Sequence, residues 1–306
     1  MQPIHIPPSL ARTMREMYGA EGEAWLRDLP ALLDAYARRW SITILPPFPN
    51  LVYNYVAPAL TADGAPAVFK LGMPDGEARD QIAALRIFDG RGIARLLAGD
   101  AEGGALLIER LLPGTSLVQL APEDDEAATA IAAEVMRALW RPAPAEHTFP
   151  TTEEWADGLA RLRAEFGGET GPFDARLVER AERLFAELHA SAGAPMLLHG
   201  DLHHDNILSA EREPWLAIDP KGVVGEPAFE VGALLRNQLP TTEAEIRRIT
   251  ERRVSQLSEA LGIERERILG WNLAQAVLSA WWSYEDHGHG WEETMLLAQI
   301  TDDLMR

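Results

Sequence analysis

Between residues 196 and 222, three short apolar runs (196–198, 207–208 and 215–218) enclose two polar turns, and few folds accommodate that pattern. Runs this short, bounded by polar residues, read as buried strands rather than helices. The first turn carries His199, Gly200, Asp201, His203, His204, Asp205 and Asn206, and the second opens with Asp219. Asp201, Asn206 and Asp219 are five and then thirteen residues apart. A strand–loop–strand–turn therefore brings their polar tips to one end of a small hairpin. The oxygens of Asn206 and Asp219 suit a hard cation, and the Asp201 carboxylate suits receiving a proton. That is an arrangement for phosphoryl transfer.

Composition narrows the classes that could use it. The chain has 306 residues, 47% of them hydrophobic and 25% charged, enough for a soluble protein with a large core and two lobes. There is no cysteine, so neither disulfides nor thiolate metal sites enter. The first residues lack a basic region followed by an apolar run, and no stretch approaches the roughly 18 apolar residues of a membrane span. A cytoplasmic enzyme is expected, with no membrane partner. The formal net charge of −19 argues against nucleic acid and permits a cationic small substrate, although acidity also serves solubility.

Residues 9–40 show helical spacing and read as two leading helices. Runs 51–58 and 65–71 read as strands joined at Ala62-Asp63-Gly64, and the second carries Lys70 among apolar neighbours. A helical period over 75–88 ends at Asp89-Gly90, and 93–98 and 105–109 read as two more strands. Beyond Pro113-Gly114 helices are expected over 123–139, 151–166, 174–190, 227–238, 241–261, 265–286 and 291–305. The expected architecture is α+β and two-lobed. A small N-terminal antiparallel sheet lobe with one helix spans 1–112, and a larger, mainly helical lobe spans 113–306. Lys70 would line one side of the cleft between them and the three polar tips the other.

Transfer of a terminal phosphoryl group needs positioning and charge neutralisation more than covalent help. Lys70 suits the nucleotide phosphates, Asn206 and Asp219 suit Mg²⁺, and Asp201 suits the base; a strand lysine can equally snorkel to water. The pattern His199-x-Asp201-x4-Asn206 followed by Asp219-x-x-Gly222 resembles the protein-kinase-like phosphotransferases. Asp219-Pro220-Lys221-Gly222, together with the stretches 67–72, 84–97, 107–114 and 225–230, is similar to the aminoglycoside phosphotransferases. Within these the resemblance is to the streptomycin 6-kinase and hydroxyurea-resistance kinase group, over about residues 40–240. The resemblance implies a protein-kinase-like fold and ATP-dependent phosphorylation of a small-molecule hydroxyl, with streptomycin-like aminocyclitols or hydroxyurea as acceptors. It makes Asp201 the catalytic base, Asn206 and Asp219 the magnesium ligands, and Lys70 the contact to the α- and β-phosphates. Backbone groups from Glu109 to Leu111 would meet adenine.

Two places depart from that family pattern. The segment where kinases carry a glycine-rich cover reads Pro49-Asn50-Leu51-Val52-Tyr53-Asn54-Tyr55, without glycine, so Asn50 or Asn54 would substitute. Gln81 stands where an acidic partner for Lys70 is expected. Glu77, one turn earlier, takes that role, with Asp80 in reserve. His199 reads as a brace of the catalytic loop, Glu230 as an N-terminal helix cap or such a brace ahead of a substrate contact, and His203 and His204 as scaffolding rather than zinc ligands. Trp271 and Trp281 read as core. Trp282, Glu285 and Asp286 read as candidates for a cationic acceptor. A housekeeping kinase for choline, homoserine, fructosamine or a sugar stays open, as does a nucleotide-binding pseudokinase.

Overall fold

The computed structural model describes residues 6–49 and 51–306. The chain divides into two compact units, Met1–Gly114 and Thr115–Arg306.

In the first unit, α1 (Pro8–Arg39) is interrupted at Gly19 (φ 54°, ψ −122°), so it consists of two helical segments as the spacing predicts. It leads into β1 (Thr43–Ile44), β2 (Tyr55–Leu60) and β3 (Pro66–Leu71). Helix α2 (Gly76–Phe88) follows, then β4 (Leu96–Asp100) and β5 (Ala105–Glu109). The sheet runs β1-β2-β3-β5-β4, every pairing antiparallel. Helix α2 starts where the Asp75 carboxylate accepts the Ala78 N–H at 3.0 Å, and it stops at Asp89 in the left-handed region, ahead of Gly90. Strand β2 begins at Tyr55, later than the apolar pattern suggests. Val52 and Tyr53 are exposed, and of the apolar run before the strand only Leu51 packs against the core.

Strand β3 lies in the middle of the sheet, which removes the edge position that would let a lysine reach water sideways. Alternation places Ala67, Phe69 and Leu71 in the core, packed with Leu29, Leu33 and Tyr36 of α1. Lys70 therefore stands on the opposite face, paired across the ladder with Val56 and Leu106.

After β6 (Pro113–Ser116), at which the units divide, come α3 (Asp125–Leu139), β7 (Arg141–Pro142), α4 (Thr152–Glu165) and α5 (Ala175–Ala190). Four short strands follow: β8 (Met196–Leu198), β9 (Ile207–Ala210), β10 (Trp215–Ala217) and β11 (Val223–Gly225). The chain closes with α6 (Pro227–Leu235), α7 (Glu243–Leu261), α8 (Arg265–His287) and α9 (Glu292–Leu304). A complete capping box at Thr151 and Glu154 fixes the start of α4. Helix α8 is buried almost all round from Ile268 to Leu278 and carries the core, with Trp271 fully enclosed. Helix α6 stops at Leu235, three residues short of the apolar pattern. The buried Arg253 guanidinium donates to the Leu234, Asn237 and Gln238 carbonyls and draws the chain out of the helix. No helix among the described residues is long and apolar enough to cross a membrane.

Candidate active site

Asp201 and Asn206 lie in the loop between β8 and β9, and Asp219 lies in the turn between β10 and β11. They do not top one hairpin. β9 pairs with β10, whereas β8 pairs with β11, so two small sheets present the two turns. Backbone bonds join them: Ile218 N–H donates to Asn206 O at 2.9 Å, and Lys221 N–H to His199 O at 2.8 Å. His199 is fully buried, and its ring lies between the turns. Nε2 meets Ile218 O at 2.7 Å, and Nδ1 accepts the Asp201 N–H at 3.2 Å. One nitrogen donates and the other accepts, which only the neutral ring can do. Burial pulls its pKa down to about 4.

Glu230 of α6 reaches under the same loop and accepts His199 N–H at 2.7 Å and Gly200 N–H at 2.9 Å. Burial pushes its pKa up to about 7, against the pull of these two donors. Gly200 has φ +85°, and a Cβ there would lie 2.9 Å from Val223 Cγ1 and 3.1 Å from the Trp155 ring. No larger residue fits. Asp219 also takes a left-handed conformation, φ 61°, without glycine's freedom. Such backbone is kept where the surrounding structure enforces it, often at functional sites.

Asn206 Nδ2 donates to Asp201 O at 2.9 Å, so Oδ1 is the end of the amide able to meet a cation. An amide oxygen and the Asp219 carboxylate make a donor set that fits a hard divalent ion. The neighbouring histidines turn to different partners. His204 is buried, with Nδ1 on Asn237 Oδ1 at 2.8 Å, and burial lowers its pKa to about 4. His203 approaches Asp205 at 3.3 Å and Asp201 at 3.7 Å.

A cavity of about 330 Å³ within the second unit opens beside Asp201. Trp155, Phe229 and Trp282 line it, joined by Lys221 and Arg236. Trp282 thus lines the cavity that holds Asp201, while Trp271 and Trp281 are core. The other two acceptor candidates are not brought to this cavity. Glu285 is exposed and forms a two-pronged pair with Arg161 (2.9 and 3.0 Å), and Asp286 is exposed beyond it at the end of α8. Trp155, Lys221 and Arg236 were not singled out in the sequence. Lys221 could have been, since it follows Asp219 by two residues; Trp155 and Arg236 come from distant positions that only packing brings together.

In the first unit, Lys70 occupies the central strand. Asn54 Oδ1 covers the end of that strand, since a Cβ on Gly72 would lie 2.1 Å from it. Asn50 lies outside the described residues. Glu77 sits exposed in the first turn of α2, Asp80 and Gln81 are buried, and Asp80 accepts from Arg79 at 3.1 Å. Glu109 ends β5, where its carboxylate accepts the Arg95 N–H at 3.1 Å, and Leu111 beyond it is buried.

Residues 48–287 match the family model of the aminoglycoside/hydroxyurea antibiotic resistance kinases. The streptomycin 6-kinase of Streptomyces glaucescens is 35% identical over 292 residues, 92% of either chain. The hydroxyurea phosphotransferase of Kitasatospora aureofaciens is 34% identical over 283 residues, 92% of this chain and 81% of its own. Among solved structures, an aminoglycoside phosphotransferase in ternary complex with ADP and hygromycin B superposes with a TM-score of 0.61 at 15% identity, covering 89% of this chain and 97% of that one. A choline kinase from Streptococcus pneumoniae gives 0.62 at 14% identity, over 91% and 99%. These likenesses show an α+β fold of the protein-kinase-like type.

Proposed function

The chain belongs to the aminoglycoside/hydroxyurea antibiotic resistance kinase family and is a small-molecule phosphotransferase, and from this premise we propose a division of roles among its residues. ATP is the phosphoryl donor and the acceptor is a hydroxyl of an aminocyclitol or of hydroxyurea, in the cytoplasm. Residues 1–112 form the nucleotide lobe. There Lys70 meets the α- and β-phosphates with Glu77 as its acidic partner, Asn54 covers the phosphates, and backbone groups from Glu109 to Leu111 meet adenine. Residues 113–306 form the catalytic and acceptor lobe.

Asn206 and Asp219 would hold Mg²⁺, which when bound neutralises phosphate charge. Asp201 orients the acceptor hydroxyl and takes its proton as the oxygen bonds to the γ-phosphorus. The bond to the β-phosphate oxygen breaks, and ADP leaves with that electron pair. The carrying observation is the 2.9 Å bond from Asn206 Nδ2 to Asp201 O, which ties the base and the ligand amide into one rigid loop beside the cavity. Asp201→Asn should lower kcat at least about 1,000-fold, more than the usual general-base contribution alone because hydroxyl orientation is lost too, with nucleotide affinity unchanged. Turnover near the wild-type rate in that variant would refute the assignment.

A further inference from the structure

The charge of the cavity beside Asp201 runs opposite to the charge of the chain. The protein carries a net −19, yet the groups lining this cavity include one carboxylate, Asp201, and two cations, Lys221 and Arg236. Neither cation is incidental to the wall. Arg236 NH1 donates to Gln275 Oε1 at 3.0 Å, and Gln275 Nε2 donates to Phe229 O at 2.7 Å, so the guanidinium is held by an amide that is itself held. Gln275 comes this close to α6 because residue 232 is glycine; a Cβ there would lie 2.4 Å from Oε1. Burial draws the Arg236 pKa down to about 10 and the Asp201 charge opposes that shift, so the group stays charged at neutral pH. Lys221 is fixed through its backbone, and its Cβ packs against Gly200.

The uncharged part of the wall is mainly aromatic. Trp155 meets Trp282 edge to face at 5.6 Å and Phe229 at 5.9 Å, so the rings brace one another into a continuous surface. Both polar ends of Gln275 are engaged, one with Arg236 and one with Phe229. What faces an incoming molecule is then a carboxylate for the reacting hydroxyl, two cationic donors, and aromatic surface. Ammonium and guanidinium groups would meet repulsion from these two cations at short range. Carbonyl and hydroxyl oxygens would meet donors.

We infer that the part of the acceptor carrying the phosphorylated hydroxyl bears no positive charge: it is a neutral, oxygen-rich group whose lone pairs meet Arg236 and Lys221 and whose apolar face lies on the aromatic wall. This deepens the acceptor reading and rests on Asp201 as the proton-accepting carboxylate. It separates the two acceptor classes, because hydroxyurea is neutral while streptomycin's cyclitol carries guanidinium groups beside its hydroxyls.

The test is a steady-state comparison of phosphorylation by the full chain with Mg²⁺ and ATP, using acceptors matched in shape and differing in charge. One pair is scyllo-inositol against streptidine, the same ring bearing two guanidinium groups, and hydroxyurea is the small neutral probe. The neutral compounds should exceed the cationic one at least tenfold in kcat/KM. Lys221→Glu should shrink that ratio at least tenfold, and Lys221→Gln should shrink it by less, with melting curves confirming that both variants fold. Preference for streptidine, a ratio unmoved by Lys221→Glu in a folded variant, or no turnover of any neutral compound overturns the inference. The assignment of Asp201 on which the inference rests fails by a separate sign, phosphoryl transfer that persists near the wild-type rate in Asp201→Asn.

Discussion

Two polar stretches of the second unit, 199–206 and 281–287, hold similar residue types in opposite surroundings. In the first, His199 and His204 are buried, and the loop's N–H groups end on a carboxylate reached from α6. In the second, the carboxylates face water, and Glu285 is paired with a still more exposed Arg161. Sequence proximity of aromatic and acidic residues makes both look like sites. The first has buried histidine rings and loop N–H groups held by hydrogen bonds from outside its own stretch, and fixed geometry is what phosphoryl transfer draws on.

The largest expected effect that would sharpen this contrast is at Glu230. Glu230→Ala leaves the N–H groups of His199 and Gly200 without an acceptor, at about 2–6 kcal/mol, given about 1–3 kcal/mol for each unsatisfied group. Urea unfolding would show the loss, and turnover should fall with it. A change under about 1 kcal/mol would mean that the loop supports itself, and the contrast would collapse.

The pH dependence of stability comes next. His199 and His204 have folded pKa values near 4, below the ordinary histidine value of 6.5. Their stabilising contribution is full above 6.5 and is lost as pH falls toward 4. Glu230 acts with the opposite sign: its folded value near 7 lies above 4.5, so its contribution is full below 4.5 and is lost as pH rises through 7. Between pH 6.5 and 4 the two histidines outweigh the one carboxyl, and stability should fall by on the order of 3 kcal/mol. Denaturant titrations at several pH values would read this. Glu230→Gln removes the opposing contribution and should steepen the acid loss; a flat profile would count against the buried neutral rings.

The smallest effects belong to the exposed stretch. Arg161→Ala and Glu285→Gln should each cost less than about 1 kcal/mol, because an exposed ion pair contributes little against solvent screening. Asp286→Asn should leave the acceptor KM within about twofold, since this side chain does not line the cavity. A tenfold rise in that KM would restore the helix end as an acceptor contact.

What could be read in advance follows the range of the physics involved. Helix α2 was legible because Asp75 and Asp89-Gly90 mark its ends within a few residues. The role expected of His199 as a brace agrees with its hydrogen bonds; for Glu230 the sequence left cap and brace open, and its bonds to His199 and Gly200 fit the brace, while Glu226 takes the N-cap position. The pairing of β8 with β11 was not legible, because strands of three residues have no period to detect. Nor was the end of α6, which is set by an arginine from α7 that sequence gives no reason to place there. Arg236 was missed for the same reason: Gln275, which holds it, lies 39 residues further along the chain, whereas Lys221 was legible beside Asp219.

The conformation of Asp219 bears on how such a protein changes under selection. Its left-handed backbone, φ 61°, is one that glycine would adopt at lower cost, so glycine at this position relaxes the fold while deleting the carboxylate assigned to the metal. Folding and function therefore pull this codon in opposite directions. A lineage held only to thermal robustness would drift toward glycine here, whereas one that must keep transferring phosphate would retain the strained aspartate. In a set of descendants, the residue at 219 would then serve as a record of whether catalysis was still being demanded of the chain.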